Sequence, residues 1–202
     1  VLQWCGLPPT VPHMKGIVFN LVELAVTEEF GAETWTALLE AANAGGRYEN
    51  TGDHDDAELL AIVGAASEAL GLTPAQVLRW TGERIIPHMA ASYSAYFDAH
   101  PGPIEFFATL DDTIHWEVLS MYEGAEPPRF QTEDLGDGRA MIEYSSFRGL
   151  PDLAEGMIAG VAAHYGTELI VDRQDGEEDG RTVCRFQCAF RTAELPEQQP
   201  LP

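Results

Sequence analysis

The spacing of apolar residues changes period at Pro127-Pro128, and no other feature constrains the fold as much. Up to that point apolar residues recur every three or four positions, the signature of amphipathic helices. Val18, Leu21, Val22, Ala25 and Val26 mark a helix over residues 17–30 that Gly31 stops. Trp35, Leu38 and Leu39 mark a second over residues 33–42, after which Gly45-Gly46 and the polar residues 49–56 predict a loop. Asp55 or Asp56 is placed to cap a third helix, which runs through Leu70 and ends at Gly71. Thr73-Pro74 is a helix-start signal for a fourth carrying Val77, Leu78, Trp80, Ile85 and Ile86, with a kink or break expected at Pro87. Further helix is expected to Phe97, and another over residues 103–121.

Beyond Pro128 alternation takes over. Residues 130–135 and 139–146 read as two strands around the turn Gly136-Asp137-Gly138. Residues 168–173 and 181–191 read as two more, joined by an acidic loop at 174–180. Between the pairs lies a helix over 151–165, with Leu153, Met157, Ile158 and Val161 on one stripe. Helices first, then an antiparallel sheet crossed by a helix, define an α+β chain. Its 202 residues suffice for one well-buried domain, or for a helical lobe and a mixed lobe sharing a core.

Thirty-three acidic residues against eleven basic ones give a formal charge of −22. That balance repels nucleic-acid phosphates and anionic membrane surfaces, and it reads as a solubility-tuned or salt-adapted surface before an acidic docking patch. No apolar run approaches the roughly eighteen residues of a membrane span. Residues 1–13 lack the basic start and apolar centre of a secretory signal, so a cytoplasmic protein is expected. Cys5, Cys184 and Cys188 are an odd count without the spacing of a disulfide framework. Cys184 and Cys188, four apart in an expected strand, read as packed or free thiols; a metal site shared with a histidine is the other reading.

Two groups of residues carry chemistry. In Tyr144-Ser145-Ser146-Phe147-Arg148 a phenol, a hydroxyl and a guanidinium alternate, so a strand would point all three to one face. Such a face is an anion clamp, with Arg148 offering a bidentate fork. Some thirty residues earlier, His115 follows an apolar run of Ile104, Phe106, Phe107 and Leu110 at helical spacing, with Asp112 one turn before it. A lone imidazole and an anion clamp together imply a cofactor with a metal and acidic side arms. Haem has both.

At these residues the chain resembles the haem nitric-oxide/oxygen-binding (H-NOX) family, found in bacterial gas sensors and in the regulatory part of soluble guanylate cyclase. The resemblance runs through Met14-Lys15-Gly16-Ile17-Val18-Phe19-Asn20, Gly31-Ala32-Glu33-Thr34-Trp35, Val63-Gly64-Ala65-Ala66-Ser67, Asp112-Thr113-Ile114-His115, Tyr122, Pro128-Arg129-Phe130, the Tyr-x-Ser-x-Arg clamp and Gly149-Leu150. It implies the H-NOX fold, with haem b (iron protoporphyrin IX) between a helical lobe and a mixed lobe. It makes residues 14–191 the domain, residues 1–13 an upstream extension, expression remnant or misassigned start, and residues 192–202 a flexible tail or the start of a linker.

The resemblance also implies roles. His115 becomes the axial ligand of ferrous five-coordinate iron, Tyr144, Ser146 and Arg148 hold the propionates, and Pro128 presses on the porphyrin. Val18, Val22, Ile85, Met89, Leu153 and Met157 line the distal pocket. Relatives that hold oxygen place a tyrosine where Leu153 stands, so an apolar pocket points to nitric oxide and carbon monoxide. The other histidines considered, His54, His88, His100 and His164, are not expected to bind iron, and Trp116 is expected to restrain the helix of His115. The implied output is release of His115, read by a separate histidine kinase or diguanylate cyclase. The chain is then a sensor and not an enzyme. Two other readings are a haem-free protein-interaction domain and a small metal-dependent enzyme, although no His-x-x-x-His pair, phosphate loop or nucleophile elbow supports the latter.

Overall fold

The computed structural model describes residues 13–121 and 125–192. The extension up to residue 12, Tyr122 and the tail from residue 193 lie outside the described residues. The chain divides into two compact units, Val1–Leu72 and Thr73–Pro202. The dividing line therefore falls well before Pro127-Pro128, where the hydrophobic period changes.

The first unit is three helices and a small ribbon. Helix α1 (Gly16–Phe30) ends at Gly31, whose φ of 88° no β-carbon obstructs, and α2 (Ala32–Ala42) starts at once. Helix α3 (Asp56–Leu70) is capped by Asp55, which accepts the Ala57 N–H at 2.8 Å. The residues expected to form a plain loop contain a strand, β2 (Asp53–Asp55), which pairs antiparallel with β1 (His13–Lys15). Three-residue strands leave too little alternation to be read from sequence. Beneath the ribbon the Phe19 and Tyr48 rings stack at 4.3 Å, and Tyr48 donates to Glu58 Oε1 at 2.9 Å.

The second unit is a four-stranded antiparallel sheet in the order β3-β4-β6-β5, formed by β3 (Arg129–Gly136), β4 (Arg139–Ser146), β5 (Thr167–Glu178) and β6 (Arg181–Thr192). The expected acidic loop is mostly strand, and only Asp179-Gly180 turns, both at positive φ. Acidic side chains there are neutralised across and along strands: Arg173 pairs with Asp175 at 2.7 Å, and Arg185 with Glu143 at 2.7 Å and Glu178 at 3.2 Å. Helix α8 (Pro151–His164) crosses the sheet and buries Ile158 and Val161 against Ile142, Cys184 and Phe186.

Helix α4 (Pro74–Ser92) opens with a reciprocal cap between Thr73 and Gln76 and runs on through Pro87 without a break. It belongs with the sheet because it packs on α8 backbone to backbone. A β-carbon on Gly82 would lie 2.2 Å from the Leu153 carbonyl oxygen, and one on Gly160 would lie 2.7 Å from that of Glu83. After α5 (Ser94–Asp98) comes α6 (Pro103–Thr109), then a π-helical segment, Leu110–His115, then α7 (Trp116–Met121). The sequence predicts one helix over 103–121; the structure inserts a wider turn in its middle. Among the described residues no single helix is long and apolar enough to cross a membrane.

Candidate functional site

His115 is the last residue of the π segment, and this local geometry decides its partner. The Trp116 N–H bonds to the Asp111 carbonyl, five residues back, so each turn holds more residues than an α-turn. A four-residue spacing then comes nearest to alignment and a three-residue spacing falls short. His115 Nδ1 lies 2.7 Å from Asp111 Oδ1, while Asp112, expected one turn before it on roughly the same side, is exposed. Asp111 is the residue that the sequence reading missed. The i, i+4 spacing, which an ordinary α-helix also brings to one face, is the signal that could have selected it.

Asp111 has a second engagement. Both of its carboxylate oxygens accept the backbone N–H of Phe130 at 2.9 Å, which ties the π segment to the start of β3. The Phe130 ring lies 6.0 Å from the imidazole and 5.6 Å from the ring of Tyr144, its cross-strand partner on β4. Phe130 thus stands between the two expected groups and brings them to one region. His115 is 16% exposed, so its ring is shielded without being sealed. Trp116 is 63% exposed, so it has little to press against, contrary to the expected restraint.

The clamp is built differently from a single strand face. Along β4 every second residue is buried, and Tyr144 and Ser146 share that buried face with Ala140 and Ile142. The strand ends at Ser146, so Arg148 lies in the bend beyond it. Ser146 Oγ accepts the Arg148 N–H at 3.1 Å, and this turn directs the half-buried arginine back, where its guanidinium donates to the Glu126 carbonyl. That contact brings Arg148 to the segment 125–128, which includes the half-buried Pro128. The Tyr144 hydroxyl accepts the Leu150 N–H at 3.2 Å, and burial raises its pKa above the ordinary phenol value.

The close α4–α8 contact places two apolar stripes side by side. Ile85 is buried and Met89 half-buried on α4; Leu153 and Met157 are half-buried on α8. Val18 and Val22 lie in the first unit on α1, the former half-buried and the latter buried. The other histidines are engaged in packing or hydrogen bonding. His100 bonds the Tyr96 carbonyl and the Thr109 hydroxyl, each at 2.8 Å; His164 packs edge-on to Phe97; His54 packs against Phe19 and Tyr48. Cys184 and Cys188 are fully buried on β6, and burial pushes both thiols up to about 12.

Among the described residues no three histidine, cysteine or acidic side chains converge as a metal-binding group. An iron that arrives with four porphyrin nitrogens needs only one protein ligand. The donor set fits that case: an imidazole engaged at Nδ1 retains Nε2 for a metal, and a buried hydroxyl turn with a guanidinium suits carboxylate arms.

An α+β unit with a helix-crossed antiparallel sheet and an imidazole engaged at Nδ1 by a carboxylate fits the class of haem-binding sensor domains. The sequence model of the haem-NO-binding family matches residues 15–173, and the chain belongs to that family. It is similar to soluble guanylate cyclase gcy-32 of Caenorhabditis elegans, 24% identical over 155 residues; the match covers 74% of this chain and spans only 23% of that relative. Among solved structures it resembles an H-NOX protein from S. oneidensis in the Fe(II)NO ligation state, with a TM-score of 0.79, 25% identity, and coverage of 88% of this chain and 99% of that one. It also shares its fold with an oxygen-binding H-NOX domain related to soluble guanylate cyclases, in its oxygen complex, with a TM-score of 0.78, 22% identity, and coverage of 92% and 100%.

Proposed function

We propose that the chain is a cytoplasmic sensor of nitric oxide and carbon monoxide that holds haem b through His115 and signals by letting that histidine go. Haem held by His115 would supply the iron to which a diatomic gas binds. The observation that carries the reading is His115 itself, a shielded imidazole whose Nδ1 is engaged by Asp111 in a chain of the haem-NO-binding family.

The remaining work falls to the protein's side chains. Arg148, with Ser146 and Tyr144, takes the propionates, the guanidinium contributing most because charge-assisted bonds exceed neutral ones. Pro128 packs on the porphyrin beside them. Ile85, Met89, Leu153 and Met157 exclude water and offer no hydrogen-bond donor. Bound oxygen needs a donor more than nitric oxide or carbon monoxide does, and this supports the gas preference. His115 sits in a π turn between α6 and α7, an interrupted helix suited to relaxation once its imidazole is released. A separate histidine kinase or diguanylate cyclase reads that change. The strong negative charge supports a protein partner over nucleic acid or an anionic membrane.

The test is the visible spectrum of the purified protein. A Soret band that shifts with nitric oxide and disappears in His115→Ala is the expected result. A polypeptide that stays colourless after hemin is added overturns the reading.

A further inference from the structure

We infer that Asp111 is the positioning residue of His115: it fixes the imidazole tautomer, strengthens the ring as a donor, and couples it to strand β3. The inference rests on His115 being the iron ligand, and it concerns what sets the hold of that ligand.

The geometry leaves few alternatives. A carboxylate only accepts hydrogen bonds, so at 2.7 Å the ring proton of a neutral imidazole belongs on Nδ1 and the lone pair on Nε2. This is the tautomer that a metal bound at Nε2 requires. A negative partner on Nδ1 also raises the donor strength of the ring, as outer carboxylates do for metal-bound histidines generally. The carboxylate cannot swing freely, because the Phe130 N–H holds both of its oxygens. Phe130 is paired with Tyr144 across β3 and β4. A displacement of the imidazole therefore pulls on the strand pair that carries two of the clamp residues.

Asp111 is distinct from Asp112, which lies on the exposed side of the same turn. An Asp112→Ala variant is thus a control of equal charge change three residues from the histidine. Asp111→Ala removes both bonds, whereas Asp111→Asn keeps a neutral acceptor for Nδ1 and loses the charge.

The experiment is resonance Raman spectroscopy of the ferrous haem-loaded protein, with the haem reduction potential measured on the same samples. The expected result is an iron–imidazole stretch that moves to lower frequency in Asp111→Ala, sits between in Asp111→Asn, and is unmoved in Asp112→Ala. The potential should rise in the same order, because a weaker donor stabilises ferric iron less. A role confined to folding would lower the melting temperature without moving the band. A band and potential unchanged in both Asp111 variants would overturn the inference while leaving His115 as ligand. A protein with no His115-dependent iron band would overturn both readings.

Discussion

Gly156 of α8 meets the backbone of Arg79 on α4 so closely that a β-carbon on the glycine would stand 2.0 Å from the Arg79 carbonyl oxygen. With Gly160 four residues on, it forms a smooth glycine face against which α4 lies. Ile85 and Met89 are thereby set beside Leu153 and Met157. Gly156→Ala must push the helices apart or distort one of them. Overpacking of this kind costs roughly 1–3 kcal/mol, with backbone contact favouring the upper part of the range. A lowered thermal midpoint should result, together with faster oxidation of the haem iron as water enters between the helices. An unchanged midpoint would mean that the contact is slack.

Arg173 gathers carboxylates from two elements. Its Nη1 lies 2.7 Å from Asp152 Oδ1 and 2.9 Å from Glu155 Oε2 on α8, and its Nε lies 2.7 Å from Asp175 on its own strand. The hydrogen bond from Arg173 holds the Asp175 carboxyl below its ordinary value of 3.8. A depressed folded-state value means that the bond stabilises the fold fully above pH 3.8, and that this contribution is lost as pH falls through the lower folded value. Thermal midpoints measured from about pH 5 to about pH 2 should therefore fall more steeply for the wild type than for Arg173→Ala. At neutral pH the variant should lose about 1–2 kcal/mol, since Asp152 and Glu155 are left partly buried without this cation while Arg79 still reaches them.

The helices and strands of this chain were legible because most have a solvent face: the α1 stripe and the β4 alternation both follow from one side being buried. Asp179-Gly180 is a strong hairpin signal in the sequence, yet the surrounding acidic residues read as loop. Their charges are offset by Arg173 and Arg185, and pairing across strands cannot be seen in a linear string. The π turn was hidden for a different reason. The wider turn leaves composition unchanged, and the sequence placed Asp112 one turn before His115 without singling out Asp111. The clamp was found as a motif, but its strand ends at Ser146 and a turn, not a shared face, directs Arg148.

The proposed gas preference rests on the apolar pair of stripes. Ferrous protein in air should form no lasting oxy complex, because Leu153 and its neighbours give bound oxygen nothing to bond with. Leu153→Tyr should slow oxygen loss by about tenfold or more if its hydroxyl reaches the ligand, a hydrogen bond to a charged acceptor being worth roughly 1.5–3 kcal/mol. Stopped-flow displacement of oxygen by carbon monoxide measures the rate. A persistent oxy spectrum in the wild type would show that a donor outside these four residues serves the pocket.

Arg148 offers the sharpest test of the clamp, because its position depends on a turn and not on the sheet. Removing its side chain should leave β4 paired as before, since Ser146 closes the strand and the Ser146–Arg148 bond uses the backbone N–H. Arg148→Ala should therefore keep its sheet, lower its melting temperature without haem only by the lost bond to the Glu126 carbonyl, and lose haem affinity. A charge-assisted fork worth roughly 1.5–3 kcal/mol corresponds to a ten- to more than hundredfold loss. Arg148→Lys should recover only part of it, because an ammonium cannot grip a carboxylate with two parallel bonds. Transfer of haem to an excess of an apo-globin scavenger gives the dissociation rates. Equal rates in all three proteins would show that the carboxylate arms are held elsewhere, and the Tyr144 and Ser146 hydroxyls would then serve only the Leu150 and Arg148 N–H groups from which they accept.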